Sequence, residues 1–157
     1  MKNKESKIKE LHLFAGIGGG IYSGKILGHE CIASVEIDKY CQTVLKQRQI
    51  DGWLEKFDIY EDIKNINGKD FKDSFDILCG GFPCQAFSYA ARGNNIAEKN
   101  LWPDMLEFIK QSNAPIVFAE NVTSDAISVA KSDLESVGYK VSYCKLSCMD
   151  LGADHKR

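Results

Sequence analysis

At 157 residues, 44% hydrophobic and 27% charged, the chain has the size and composition of a single soluble globular domain with a real core. No apolar run approaches the ~20 residues that span a bilayer, and the N-terminal MKNKESKIKE lacks the apolar centre of a signal peptide. The net charge of −2 argues against a dedicated nucleic-acid-binding module, or places the basic part elsewhere.

Apolar runs alternate with helical patterns along the chain. Ile8 to Ala15 reads as a strand and Gly16 to Gly28 as a helix opened by glycines. Cys31 to Ile37 is strand-like, and Asp38 is placed to cap a helix that runs to about Gln49. A short strand near Phe57 to Ile59 follows, and Phe75 to Cys79 is the next. Leu101 to Gln111 is helical, with Leu101, Met105, Phe108 and Ile109 on one face. Ile116 to Ala119 reads as a buried strand, Ala126 to Val137 as a helix stopped by Gly138, and Tyr139 to Ser147 as a last strand. This alternation predicts an α/β fold, a parallel sheet with helices on both faces. Ligands of such sheets bind beyond the carboxyl ends of the strands.

The strand ends are where the unusual residues stand. Phe14-Ala15-Gly16-Ile17-Gly18-Gly19-Gly20 follows the first strand. A glycine turn that opens a helix admits close approach of a ligand, but Ile21 breaks the dinucleotide G-x-G-x-x-G pattern. Val35-Glu36-Ile37-Asp38 follows the second strand, and a carboxylate about 20 residues past the turn typically accepts ribose hydroxyls. Together these features indicate an adenosine-type ligand, with S-adenosylmethionine a candidate. After the third strand, Asp62 and Ile63 are placed to meet an adenine, with Asp58-Ile59 as the competing pair.

The fourth strand runs into Gly80-Gly81-Phe82-Pro83-Cys84-Gln85. Most free cysteines behave as small buried hydrophobes. Cys84 instead follows a proline and two glycines, a rigid turn that suits display of a thiol. The fifth strand ends abruptly in Glu120-Asn121-Val122. Asn121 could cap the following helix; alternatively Glu120 converges with Cys84 on one pocket above the sheet. The six cysteines include no C-x-x-C pair, and Cys144, Cys148 and His155 have no recognised zinc spacing, so no metal is expected.

In this order, FAGIGGG, VEID, EDI, GGFPCQAFS, AENV and LGADHKR resemble the DNA cytosine-5 methyltransferase family over roughly residues 10–157. The paired Pro-Cys-Gln and Glu-Asn-Val elements are its most specific part. The resemblance implies a Rossmann-like S-adenosylmethionine-dependent methyltransferase fold. It implies transfer of a methyl group to C5 of cytosine in double-stranded DNA, by way of a covalent adduct with Cys84. Glu120 and Arg157 would be its other catalytic residues. Phe14, Gly16, Ile17, Gly19, Glu36, Ile37, Asp62, Ile63, Gly81, Pro83 and Leu101 would meet the cofactor. Gln85, Ser88 and Arg92 would meet DNA, and Asn121 would support the site.

Two positions depart from the pattern. Ile37 replaces a tryptophan found in some members, and His12 stands where aspartate is common. The chain also stops at His155-Lys156-Arg157. The resemblance therefore implies an incomplete catalytic domain over residues 1–157, without its final strand or a target-recognition domain. A complementing polypeptide would supply both. A restriction–modification role in a bacterial or phage setting, in the cytoplasm and away from membranes, follows from the same likeness. Other readings remain: a cofactor-binding inactive fragment or subunit, a tRNA-methylating relative, and more distantly a Rossmann dehydrogenase.

Overall fold

The computed structural model describes residues 6–83 and 100–154. Five strands form one parallel sheet: β1 (Lys9–Leu13), β2 (Glu30–Val35), β3 (Asp58–Tyr60), β4 (Ile77–Gly81) and β5 (Ile116–Glu120). Their spatial order is β3-β2-β1-β4-β5. The chain starts at the centre, builds outward to one side, then crosses back over β1 to build the other. The order reverses between β1 and β4, and that switch point is where sheets of this kind bind ligands.

The helices are α1 (Gly19–Ile26), α2 (Lys39–Ile50), α3 (Trp102–Ser112) and α4 (Ser124–Ser136). Asp38 caps α2 as its sequence position predicts, its carboxylate accepting the Cys41 N–H at 2.9 Å. The two faces of the sheet are covered differently. Leu11, Leu13, Ala33, Val35 and Leu78 pack against Trp102, Met105, Phe108 and Ile109 of α3 and Ala126, Ala130 and Leu134 of α4. The opposite face carries a smaller apolar cluster, Ile21 of α1, Leu45 of α2 and Leu54.

Two sequence-based expectations are corrected. Tyr139 to Ser147 forms no strand; those residues lead into a single 3₁₀ turn at Cys148–Leu151. An isolated run of alternating residues gains strand geometry only by pairing, and none of the described strands pairs with it. For the same reason β5 is an edge strand rather than a buried one. Ile116 is 56% exposed and Phe118 is 67% exposed. The remaining strands and helices agree with expectation to within two or three residues at their ends, the ordinary scale of fraying and assignment.

Gly68 shows how tightly the connecting segments are fitted. A methyl group there would stand 2.7 Å from the Phe108 carbonyl oxygen and 2.8 Å from Gln111 Cβ. Its N–H donates to Gln111 Oε1 at 2.9 Å, which holds the 3₁₀ turn Gly68–Phe71 on α3. Backbone cannot yield as a flexible side chain can. Gly68→Ala is therefore expected to destabilise the fold by about 1–3 kcal/mol, the usual cost of overpacking, read as a lower urea midpoint at unchanged slope.

Candidate active site

Most of the described residues that the sequence singles out follow the carboxyl ends of β1, β2, β4 and β5. The turn after β1 is the most constrained backbone in this region. Phe14 has φ 56°, Gly16 φ 55° and Gly18 φ 91°. Glycine adopts such angles freely, whereas a phenylalanine held there stores local strain. Three bonds fix the turn. The Gly18 N–H donates to the Ala15 carbonyl at 2.9 Å, Arg48 Nη1 donates to the Ile17 carbonyl at 2.6 Å, and the Gly16 N–H donates to Glu36 Oε2 at 2.6 Å.

Glu36 is the hub of this end of the sheet. Its other oxygen accepts the Asp38 N–H at 2.8 Å, and Gln42 Nε2 donates to its backbone carbonyl at 2.6 Å. The side chain is buried, while its neighbour Ile37 is 64% exposed and Ile17 across the turn is 45% exposed. Two bare isoleucines thus flank a carboxylate and a glycine turn. A Cβ built at Gly16 or Gly19 would meet nothing within 4 Å, so a ligand could lie directly on the backbone.

The other predicted positions fall in distinct places. Asp62 turns its carboxylate back to accept the Lys64 N–H at 3.0 Å, and Ile63 is buried in the main core. Leu101 is half-buried at the start of α3, and its carbonyl accepts the Met105 N–H at 3.0 Å. Gly81 pairs with Glu120 across the β4–β5 ladder, and a methyl at Gly81 would stand 3.1 Å from Glu120 Oε2. The Glu120 carboxyl therefore lies over the strand end that leads into Pro83. Cys84, Gln85, Ser88, Arg92 and Arg157 lie outside the described residues.

Asn121 does not cap α4. Thr123 does, its hydroxyl accepting the Ala126 N–H at 3.4 Å. Asn121 instead spans two strand ends. Its Nδ2 donates to the Phe82 carbonyl at 2.8 Å, and its Oδ1 accepts the Thr123 N–H and hydroxyl, each at 3.0 Å. The residue after Glu120 thus clamps the backbone immediately before Pro83.

Sequence reasoning missed two supports, Arg48 and Gln42. Both come from α2 and act on backbone carbonyls, so neither belongs to a local motif. Their only signal is position: each lies on the helix that Asp38 caps, in reach of the turn. An open groove lies elsewhere, between α2 and β3, lined by Ile32, Lys46, Gln49, Phe57 and Asp58. Of the residues singled out in the sequence it carries only Asp58, from the competing adenine pair.

Residues 8–157 match the family described as C-5 cytosine-specific DNA methylase. The chain belongs to this family. It is 32% identical to the type II methyltransferase M.HhaI of Haemophilus parahaemolyticus, over 100% of the chain and 49% of that protein. It is 28% identical to the type II methyltransferase M.MspI of a Moraxella species, over 97% of the chain and 37% of that protein. The chain thus spans half the length of these relatives or less. Among solved structures, the fold matches S. pombe Dnmt2 with a TM-score of 0.63 at 18% identity, over 85% of the chain and 41% of that protein. It matches Spodoptera frugiperda DNMT2 with a TM-score of 0.64 at 21% identity, over 82% and 41%. The α/β methyltransferase architecture expected from the sequence is therefore observed. No described helix is long and apolar enough to cross a membrane.

The Asn121 clamp makes a specific demand. Asn121→Asp keeps the acceptor for Thr123 but removes the donor to Phe82. The variant is expected to lose about 1–3 kcal/mol of stability, the cost of an unpaired buried carbonyl, in chemical denaturation. Thr123→Ala should cost about 0.5–2 kcal/mol, as a lost helix cap.

Proposed function

We propose that this chain is the catalytic part of an enzyme that methylates C5 of cytosine in double-stranded DNA, using S-adenosylmethionine. One observation carries the reading. Glu120 sits over Gly81, at the strand end leading to Pro83 and Cys84 and on the same sheet edge as the glycine turn. Family membership supplies the reaction class.

The residues present fit the cofactor. Gly16 and Gly19 leave their backbone open, Ile17 and Ile37 offer apolar surface, and Glu36 brings a carboxylate between them. Both Glu36 oxygens already accept a backbone N–H, and each retains a second lone pair for a ribose hydroxyl. Phe14, Gly81, Pro83 and Leu101 border the same edge. Asp62 and Ile63 remain assigned to the adenine end.

When bound, S-adenosylmethionine supplies an electrophilic methyl group. Cytosine C5 is too weak a nucleophile to accept it unaided. The Cys84 thiolate adds to C6, forming an S–C6 bond and moving the ring electrons toward C5. Glu120 holds a proton at N3 and bonds the exocyclic amine, which stabilises the charge that develops there. After C5 is methylated, its proton leaves to a base, and the S–C6 electron pair returns to Cys84. Arg157 assists at the same base. The cytosine reaches these groups only out of the stack, and Gln85, Ser88 and Arg92 contact the DNA that releases it.

Residues 1–157 are the catalytic portion of this enzyme. The bare outer edge of β5, with Ile116 and Phe118 exposed, supports a further segment that pairs there and carries the target-recognition part. It belongs to the same polypeptide or to a complementing one. A restriction–modification role and a cytoplasmic setting, bacterial or phage-borne, go with this assignment.

Two expectations test the cofactor. Glu36→Ala should weaken S-adenosylmethionine binding by about 1.5–3 kcal/mol in calorimetry, the range for hydrogen bonds to a charged group. Gly19→Ala separates binding from folding. Its methyl enters open space, so stability should change by no more than about 0.5 kcal/mol while cofactor affinity drops. Tighter binding of NAD than of S-adenosylmethionine by the parent chain would sink the assignment.

The chemistry is tested by covalent trapping. Supplied with the complementing part, the protein should form an adduct with DNA carrying 5-fluorocytosine, where no C5 proton can leave. Mass spectrometry should find it at Cys84. Trapping at Cys79, or unchanged turnover in Cys84→Ser, would overturn the mechanism.

A further inference from the structure

Beneath α1 lies a group of polar side chains that the proposed chemistry does not use. Glu10 and His12 point from β1 to the face opposite the main core, and each is 5% exposed. Glu10 Oε2 accepts His12 Nε2–H at 2.9 Å, and Oε1 accepts His29 Nδ1–H at 2.6 Å. Cys79 of β4 pairs in register with His12. One ligand atom each from Glu10, His12 and Cys79 lie within 4.8 Å of one another.

The helix above is shaped around this group. A methyl at Gly24 would overlap the Glu10 carboxylate, with Cδ at 2.8 Å, and one at Gly20 would stand 3.4 Å from His12 Nδ1. Ser34 of β2 also pairs in register with His12, so its side chain leaves the sheet on the same face. Its hydroxyl is fully buried and has no hydrogen-bond partner among the described residues. Buried polar atoms are nearly always paired, so this one marks a place for a further polar atom.

We infer that Glu10, His12 and Cys79 form a structural site for a divalent transition metal of the zinc class. The donor set is one carboxylate, one imidazole and one thiolate, each a standard zinc ligand. Charge balances as well: a carboxylate and a thiolate cancel the two charges of the ion, and His12 binds neutral through one ring nitrogen, with its proton on the other. The Cys79 thiol proton passes to solvent as the S–metal bond forms.

Bonds of about 2.0–2.3 Å set tetrahedral ligand atoms roughly 3.3–3.8 Å apart. Closing the existing cluster to that spacing needs shifts of about 1 Å, within the reach of side-chain torsions. His29 is not in the ligand set. It positions Glu10 by holding Oε1, as outer partners of metal ligands do. A water in the fourth position would find its partner in Ser34. Occupancy ties β1 to β4 under the helix that carries the glycine turn, so the ion would stiffen that turn from below.

The test uses the full chain, stripped with a chelator and titrated with zinc and then cobalt(II). The expected result is one equivalent bound, a rise of several degrees in the thermal midpoint, and a thiolate-to-cobalt absorption band. Cys79→Ser should abolish the band and weaken zinc binding at least tenfold. His29→Gln should weaken it by about 10–100-fold while the band persists. A double variant, Cys144→Ser with Cys148→Ser, should bind like the parent. X-ray absorption of the zinc-loaded parent needs no variant and should report one sulfur among nitrogen and oxygen neighbours. No binding by the parent, a band retained in Cys79→Ser, binding lost in the double variant, or a zinc shell with no sulfur or several would each overturn the inference.

Discussion

The Glu36 carboxylate is the interaction on which the rest of this sheet edge depends. It joins two segments that the chain separates by a whole helix and strand, the Gly16 amide on one side and the Asp38 amide on the other. Hydrogen bonds to an ionised group are worth about 1.5–3 kcal/mol, roughly twice an ordinary one. One of them, from the Gly16 N–H to the buried carboxylate, helps fix the glycine turn in a geometry that its own residues resist, with Phe14 held at φ 56°, and the other ties the carboxylate to the start of α2. Gln42 then fixes Glu36 by its carbonyl, and Asp38 starts the helix on which Gln42 sits. Cap, hub and turn form one connected unit, so a ligand placed against Glu36 would meet a surface that has little left to order.

Much of this was legible in the sequence because the signals are local. A glycine turn after an apolar strand, an acid at the next strand end and an Asp before a helix each announce themselves within a few residues. The core face of α3 was legible for the same reason, since Met105, Phe108 and Ile109 recur at helical spacing and all three are buried. What failed was non-local. Val117, Phe118 and their neighbours have the composition of a buried strand, but burial depends on a partner that composition cannot supply. The same holds for Tyr139 to Ser147, whose alternation fits a strand while its backbone pairs with no described strand. For Asn121 the sequence leaves two roles open, a helix cap or support of the site, for a related reason. Its position before a helix fits a cap, and only the three-dimensional neighbour, the Phe82 carbonyl, shows that it spans two strand ends.

The polar group under α1 was the least legible part of all. His12 stood out in the sequence only as a departure from a pattern. Its partners are separated along the chain: Glu10 two residues back, His29 beyond a helix, Cys79 on another strand. Parallel pairing brings them together, and no periodicity foretells it. Burial holds His12 below the usual histidine pKa, and its hydrogen bond and charge attraction to Glu10 only partly offset that effect. Burial likewise pushes the Cys79 thiol up to about 12. The same desolvation thus disfavours the charged form of both groups.

The two faces of the sheet consequently hold their helices by different physics. On the α3 and α4 side the attachment is apolar, non-directional and spread over many side chains, with the Gly80 backbone pressed against Met105. On the α1 side only Ile21 and Gly24 of the helix are buried: Ile21 packs on Leu45 and Leu54, Gly24 lies against the Glu10 carboxylate, and His29, just past the helix, bonds that carboxylate. Apolar packing tolerates small sliding, because area is nearly conserved as side chains shift. Directional bonds to a buried carboxylate do not, since losing one leaves a desolvated partner that costs more than the bond contributed. The helix anchored to that carboxylate through His29, just past its end, is also the one whose first turn carries the candidate cofactor backbone. Placing the less forgiving attachment under the more exacting site keeps the glycine turn in register with Glu36, while the apolar face supplies the bulk of the stability.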